Sequence, residues 1–172
     1  MDGPDWLDAA SSSEATAALF RCCGVAGWAN RMAALRPFGT SDALMAAAES
    51  EWRRASRDEI LEAFLQHPRI GDRESLRARF PLTHAWSAHE QGGASGAEEK
   101  VLDDLAEGNR LYEARFGHMF IVCASGKAAS EMLALLRARL DNDPIDELRV
   151  AAAEQMKITR LRIERLLRER AA

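Results

Sequence analysis

At three places in the chain a serine stands three residues ahead of a glutamate and an apolar run of helical period follows: Ser11–Glu14, Ser56–Glu59 and Ser95–Glu98. In such a pair the serine oxygen accepts from the backbone N–H of the glutamate. The glutamate reaches back to the serine N–H, so two orphan donors of a helix start are satisfied reciprocally. A chain that repeats this signature, is rich in alanine and arginine and holds only 6% aromatic residues is built for helices.

The remaining punctuation agrees. Residues 1–10 read as a loose lead-in. The helix begun at Ser11 runs to about Cys22, with Gly24 as its stop. Trp28, Met32 and Leu35 share helical spacing and end before Arg36-Pro37-Phe38. Thr40-Ser41-Asp42 opens a helix carrying Leu44, Met45 and Ala48. After Ser56, the residues Ile60, Leu61, Phe64 and Leu65 lie on one face, and His67-Pro68 ends that helix, because the residue before a proline is pushed out of the helical region. The pattern weakens from Gly71 to Gly96, where Arg73–Phe80 fits a short helix. Ser95 then starts a long helix bearing Val101, Leu102, Leu105, Leu111 and Tyr112, closed by Phe116-Gly117. Ser125-Gly126 leads into another with Met132, Leu133, Leu136 and Leu140. Asn142-Asp143-Pro144 opens the last helix, to about residue 169, with proline at the first helical position. Phe120-Ile121-Val122-Cys123-Ala124 is the one run that reads as a strand or, equally, as a buried extended crossing. The expectation is an all-α protein, one compact domain over 1–172 with seven or eight helices.

The formal net charge of −4 argues against nucleic acid as the main partner. The arginines from Arg160 to Arg170 alternate with Glu164 and Glu169 and read as a solvated helix face. Cys22, Cys23 and Cys123 form no CxxC pair, which fits free thiols in a reducing compartment. The first residues lack the basic and apolar regions of a signal peptide, and no apolar run approaches the roughly 18 residues of a membrane helix. A cytoplasmic protein is expected. His67, His84, His89 and His118 lack metal-ligand spacing, so no metal site is expected, and no phosphate-binding glycine loop is present.

Three clusters can carry chemistry. His67 sits at a helix end and can move a proton near neutral pH; the bland reading is a capping histidine. Ser87, Ala88, His89, Glu90 and Gln91 occupy a stretch without apolar periodicity. There the carboxylate could accept, and the carboxamide both accept and donate, hydrogen bonds with an amide-rich ligand; the bland reading is a solvated loop. Arg162 lies on a helical stripe with Leu148, Ala152, Gln155, Thr159 and Leu166. A guanidinium flanked by apolar turns requires an anion, either an internal acid or a ligand carboxylate. The Phe120–Ala124 run could offer backbone N–H groups to a ligand or could simply be core. A small helical interaction module, docking through the arginine-rich last helix, is the rival to an enzyme.

Taken together and in order, these residues resemble the 2-oxo-4-hydroxy-4-carboxy-5-ureidoimidazoline (OHCU) decarboxylase family. The resemblance rests on Cys23-Gly24, Trp28, Arg36-Pro37-Phe38, Trp52, His67-Pro68-Arg69-Ile70-Gly71 and Ser87 with Glu90-Gln91. It continues through Asn109, Tyr112, Arg115-Phe116-Gly117, Phe120 to Gly126, Asn142-Asp143 and Lys157-Ile158 with Arg162. It implies an all-α, cofactor-independent carboxy-lyase, often a homodimer, that yields (S)-allantoin and carbon dioxide in urate degradation. It further implies His67 as acid/base, with Glu90 and Arg162 in the catalytic set. Pro68, Ser87, Ala88, His89, Gln91, Phe120, Ile121, Val122, Cys123 and Ala124 would complete the substrate site.

Overall fold

A computed structural model describes residues 4–67, 74, 76, 78 and 91–171. Among them are eight helices and no strand: α1 Asp5–Ala9, α2 Ser12–Cys23, α3 Ala26–Ala34, α4 Ser41–Arg53, α5 Arg57–Leu65, α6 Gln91–Phe116, α7 Ala129–Arg139 and α8 Pro144–Ala171. The all-α expectation holds, and Phe120–Ala124 forms no strand; Ile121 is buried and the other four residues are half-buried. The contacts divide the chain into two compact units, residues 1–67 with 152–172, and residues 68–151.

In the first unit the capping boxes at Ser11 and Ser56 form as their spacing predicts, and Thr40 caps α4 through the Ala43 N–H. The helices close over Leu7, Leu19, Trp28, Met32, Leu44 and Ile163, all fully buried. Two indoles enter this core with their polar ends satisfied: Trp28 Nε1 donates to the Ala48 carbonyl at 3.3 Å and Trp52 Nε1 to the Ala152 carbonyl at 2.9 Å. Arg31 ties α3 to its neighbours by pairing with Glu51 at 2.9 Å and Glu59 at 2.7 Å.

The second unit packs α6 against α7 around Leu76, Leu102, Leu105, Tyr112 and Leu136. At Gly108, in mid-helix, a Cβ would stand 2.0 Å from Leu136 Cδ2, so any larger residue there would make the Leu136 side chain shift.

Two boundaries differ from the sequence reading. The lead-in contains α1, because distant groups hold it. The Arg36 guanidinium donates to the carbonyls of Leu7 at 2.7 Å and Ala10 at 2.6 Å, while Asp8 accepts from the backbone N–H groups of Phe38 and Gly39, both at 2.9 Å. The second difference is the start of α6 at Gln91, which puts Ser95 inside the helix instead of at its cap. Gly92, Gly93 and Gly96 each cost about 1 kcal/mol in a helix interior. They fall in the opening turns of a 26-residue element, where several N–H groups lack intrahelical partners in any case.

Gly24 joins α2 to α3 at φ +81°, and a Cβ on it would meet Gln66 Cγ at 2.3 Å. Gly24→Ala is therefore expected to cost about 1–3 kcal/mol in urea unfolding, from left-handed strain plus displacement of Gln66. A loss below about 0.5 kcal/mol would show that neither constraint operates.

Candidate active site

His67 follows α5 directly, its N–H donating to the Phe64 carbonyl at 3.1 Å. The half-buried ring faces α8: its Nε2 is 2.6 Å from Oε1 of Gln155. Gln155 is fully buried, as is Thr159 one turn on, and Gln155 Nε2 donates to Thr159 Oγ1 at 3.2 Å. The Thr159 side chain lies beside the Cys23 thiol at the end of α2.

Arg162, further along the same stripe of α8, donates from Nη1 to the Cys22 carbonyl at 3.3 Å. That carbonyl belongs to the last turn of α2, where acceptors lack intrahelical donors and a cation is favoured. Among the described residues Arg162 forms no ion pair, so no described acid supplies the internal salt bridge that was one of its two readings. His67 and Arg162 thus stand against one helix face, with the C-terminus of α2 beside both Thr159 and Arg162.

The Phe120–Ala124 segment belongs to the second unit. Its carbonyls are engaged by cations: Arg139 Nη1 donates to the Ile121 carbonyl and Lys127 Nζ to that of Cys123, each at 2.8 Å. Among the described residues the backbone N–H groups of Phe120, Ile121, Val122 and Ala124 donate no hydrogen bond. Arg139 also lies 4.6 Å over the Phe120 ring. Pro68, Ser87, Ala88, His89 and Glu90 lie outside the described residues, as does the side chain of Gln91, the first residue of α6. Among the described residues no group of His, Cys, Asp and Glu is arranged to hold a metal, and no helix is long and apolar enough to cross a membrane.

Two features escaped the sequence. Gln155 stood on the stripe with no role assigned, although a glutamine and a threonine at i,i+4 on an otherwise apolar face signal a buried polar pair. Arg139 and Glu147 were not singled out at all. Glu147 is fully buried and accepts from Arg139 Nε at 2.8 Å, from Asn142 Nδ2 at 2.7 Å and from the Tyr112 hydroxyl. Burial, and then the bond to Glu147, push the Tyr112 hydroxyl well above its ordinary pKa.

With this geometry in view, comparison with known proteins places the chain. The OHCU decarboxylase family model matches residues 8–164, and the chain belongs to that family. It is similar to a uric acid degradation bifunctional protein of Arabidopsis thaliana, 36% identical over 150 residues that cover 87% of this chain and 46% of that protein. A 2-oxo-4-hydroxy-4-carboxy-5-ureidoimidazoline decarboxylase of Amia calva is 34% identical over 106 residues, 59% of this chain and 57% of that one. The chain therefore spans about half the length of these curated relatives. A crystal structure of an OHCU decarboxylase in the presence of (S)-allantoin superposes with a TM-score of 0.69 at 36% identity, covering 92% of this chain and 99% of the other.

Burial raises the thiol pKa values beside the stripe, to about 11 for Cys22 and about 12 for Cys23, against an ordinary 9.0. The nearby Arg162 charge opposes this only in part. In the native protein at about pH 8, a disulfide reagent is expected to titrate Cys123, which is partly exposed, and to leave both buried thiols untouched until denaturant is added. The same upward shifts make a contribution to stability that is complete below about pH 9 and is lost as pH climbs toward 11–12, since the unfolded chain ionises first. Rapid native-state labelling of all three thiols would overturn this.

Proposed function

We propose that the chain is a decarboxylase that converts 2-oxo-4-hydroxy-4-carboxy-5-ureidoimidazoline to (S)-allantoin and carbon dioxide in urate degradation, without a cofactor. The observation that carries this reading is the family match over 8–164, which contains His67 and Arg162. The substrate bears its carboxylate on a carbon that also carries a hydroxyl. When the bond to the carboxylate breaks, carbon dioxide leaves and the electron pair enters the ring, where an adjacent carbonyl or imine-like group holds it as an enolate. Arg162, whose charge no described carboxylate neutralises, stabilises that anion or fixes the ring oxygens. The backbone N–H groups of Phe120, Ile121, Val122 and Ala124, which donate no hydrogen bond among the described residues, are donors of the kind an oxyanion needs. Glu90 and Gln91 hold ureido and ring N–H groups, with Pro68, Ser87, Ala88 and His89 beside them. His67 delivers the proton to one face, which determines the hand of the product. Much of the acceleration comes from holding one reactive geometry, an effect that reaches roughly 7–11 kcal/mol in well-oriented systems.

In this reading the two units work as one domain, since the family model runs across both. The protein acts in the cytoplasm, where its three free thiols fit a reducing milieu, and it assembles as a homodimer. Sedimentation equilibrium tests the assembly: a mass of one chain at micromolar concentration would remove the dimer from the reading.

The chemistry is tested with freshly generated substrate, followed by circular dichroism. His67→Ala is expected to lower the rate of (S)-allantoin formation by about 100-fold or more and to let racemic product accumulate, with the far-ultraviolet spectrum unchanged. An undiminished rate of (S)-allantoin formation in that variant would remove His67 from the mechanism.

A further inference from the structure

Gln155 is a fully buried polar group touching His67, and proton delivery by His67 does not by itself require it. A carboxamide has one acceptor oxygen and one donor nitrogen. Its nitrogen donates to Thr159 Oγ1 at 3.2 Å, so its oxygen is the atom that faces the ring, at 2.6 Å from Nε2. An oxygen without hydrogen can only accept, so the ring nitrogen must donate. Reversing the amide would present an N–H group to Nε2 and require the opposite tautomer. Thr159, itself buried beside the Cys23 thiol, receives the amide nitrogen and so favours this orientation of the amide. From α8 to the end of α5 the buried polar atoms therefore have a consistent direction.

We propose that Gln155 is the positioning residue for the known family reaction, holding His67 in the tautomer that carries hydrogen on Nε2 and fixing the plane of its ring. Nδ1 is then the ring nitrogen that gains and loses the transferable proton. An uncharged partner suits this task. A carboxylate in the same place would also accept from Nε2–H, but its charge would hold the ring as imidazolium and oppose release of the proton. The buried amide sets direction without adding charge. The catalytic part of this inference rests on the reading of His67 as the acid/base; the tautomer part stands on the geometry alone.

The test is therefore made in two separate readings on the full-length protein. With ring-labelled histidine, two-bond proton–nitrogen spectra across a pH titration report which nitrogen of the neutral His67 ring carries hydrogen; His67→Ala identifies the signal. The wild type is expected to show a protonated Nε2. Gln155→Leu, which removes the acceptor, is expected to give a mixture of tautomers. Thr159→Val, which leaves the amide in place but frees it to turn, is expected to move the ring part of the way and serves if the leucine variant does not fold. A wild-type ring protonated on Nδ1, or an unchanged tautomer in both variants, overturns the proposal. In turnover, Gln155→Leu, or Thr159→Val in its place, is expected to lower kcat by about 10- to 100-fold while KM moves less than about threefold. Gln155→Glu, which keeps an acceptor, is expected to retain the Nε2–H tautomer and to hold the ring charged to higher pH. An effect confined to KM overturns the positioning role. If His67→Ala proves fully active, the acid/base reading fails, while the tautomer spectra still decide what Gln155 does to the ring.

Discussion

The fully buried polar groups of α8 impose the strictest demand on this structure. Glu147 and Gln155 lie on that one helix, both without solvent contact, and neither can be left unmatched without a penalty of about 1–3 kcal/mol, more for the charged one. Each is answered differently. Glu147 receives a guanidinium, an amide and a phenol, and the guanidinium continues to the Ile121 carbonyl. Gln155 receives an imidazole and passes its own donor to a threonine. In the second unit the consequence is a fixed backbone segment; in the first it is a fixed histidine. Loss of Arg139 would strand a buried carboxylate, for which roughly 3–5 kcal/mol is the usual cost.

Groups of the candidate site come from places where helices stop. His67 follows the last turn of α5, and the Cys22 carbonyl that receives Arg162 belongs to the last turn of α2. Helix ends leave backbone groups unsatisfied, so they attract polar partners, while the helix behind them supplies stiffness. Gly24 is the joint in this arrangement. It ends α2 in a left-handed turn and leaves the space that Gln66, the residue before His67, occupies.

Helix identity was legible because it is written locally. Ser11, Thr40 and Ser56 bond three residues away, and a reader of the chain needs nothing else to find them. Ser95 misled for the complementary reason: its spacing to Glu98 is right, but α6 had already begun at Gln91 and the glycines between did not prevent it. α1 was missed because its support comes from Arg36, Phe38 and Gly39, nearly thirty residues on, which no periodicity records. Within the candidate site, the proline after His67 and the apolar stripe around Arg162 drew attention to two residues that both make contacts through α8. The pairing of His67 with Gln155 spans 88 positions and the arrangement of Arg139 on Glu147 depends on two helix ends meeting, so no local spacing records either. The role of Glu90 came from resemblance, and it remains part of the proposed function.

The reciprocal clamp on α1 has a consequence of another kind. Five residues cannot sustain a helix alone, since nucleation is unfavourable and a stable isolated helix needs about 12–15. The helicity of α1 is thus on loan from the Arg36–Gly39 turn, and the two must come and go together. Amide protons in α1 consequently record the opening of that turn, a local fluctuation that hydrogen exchange resolves well below the global unfolding of the core formed by α2, α3 and α4.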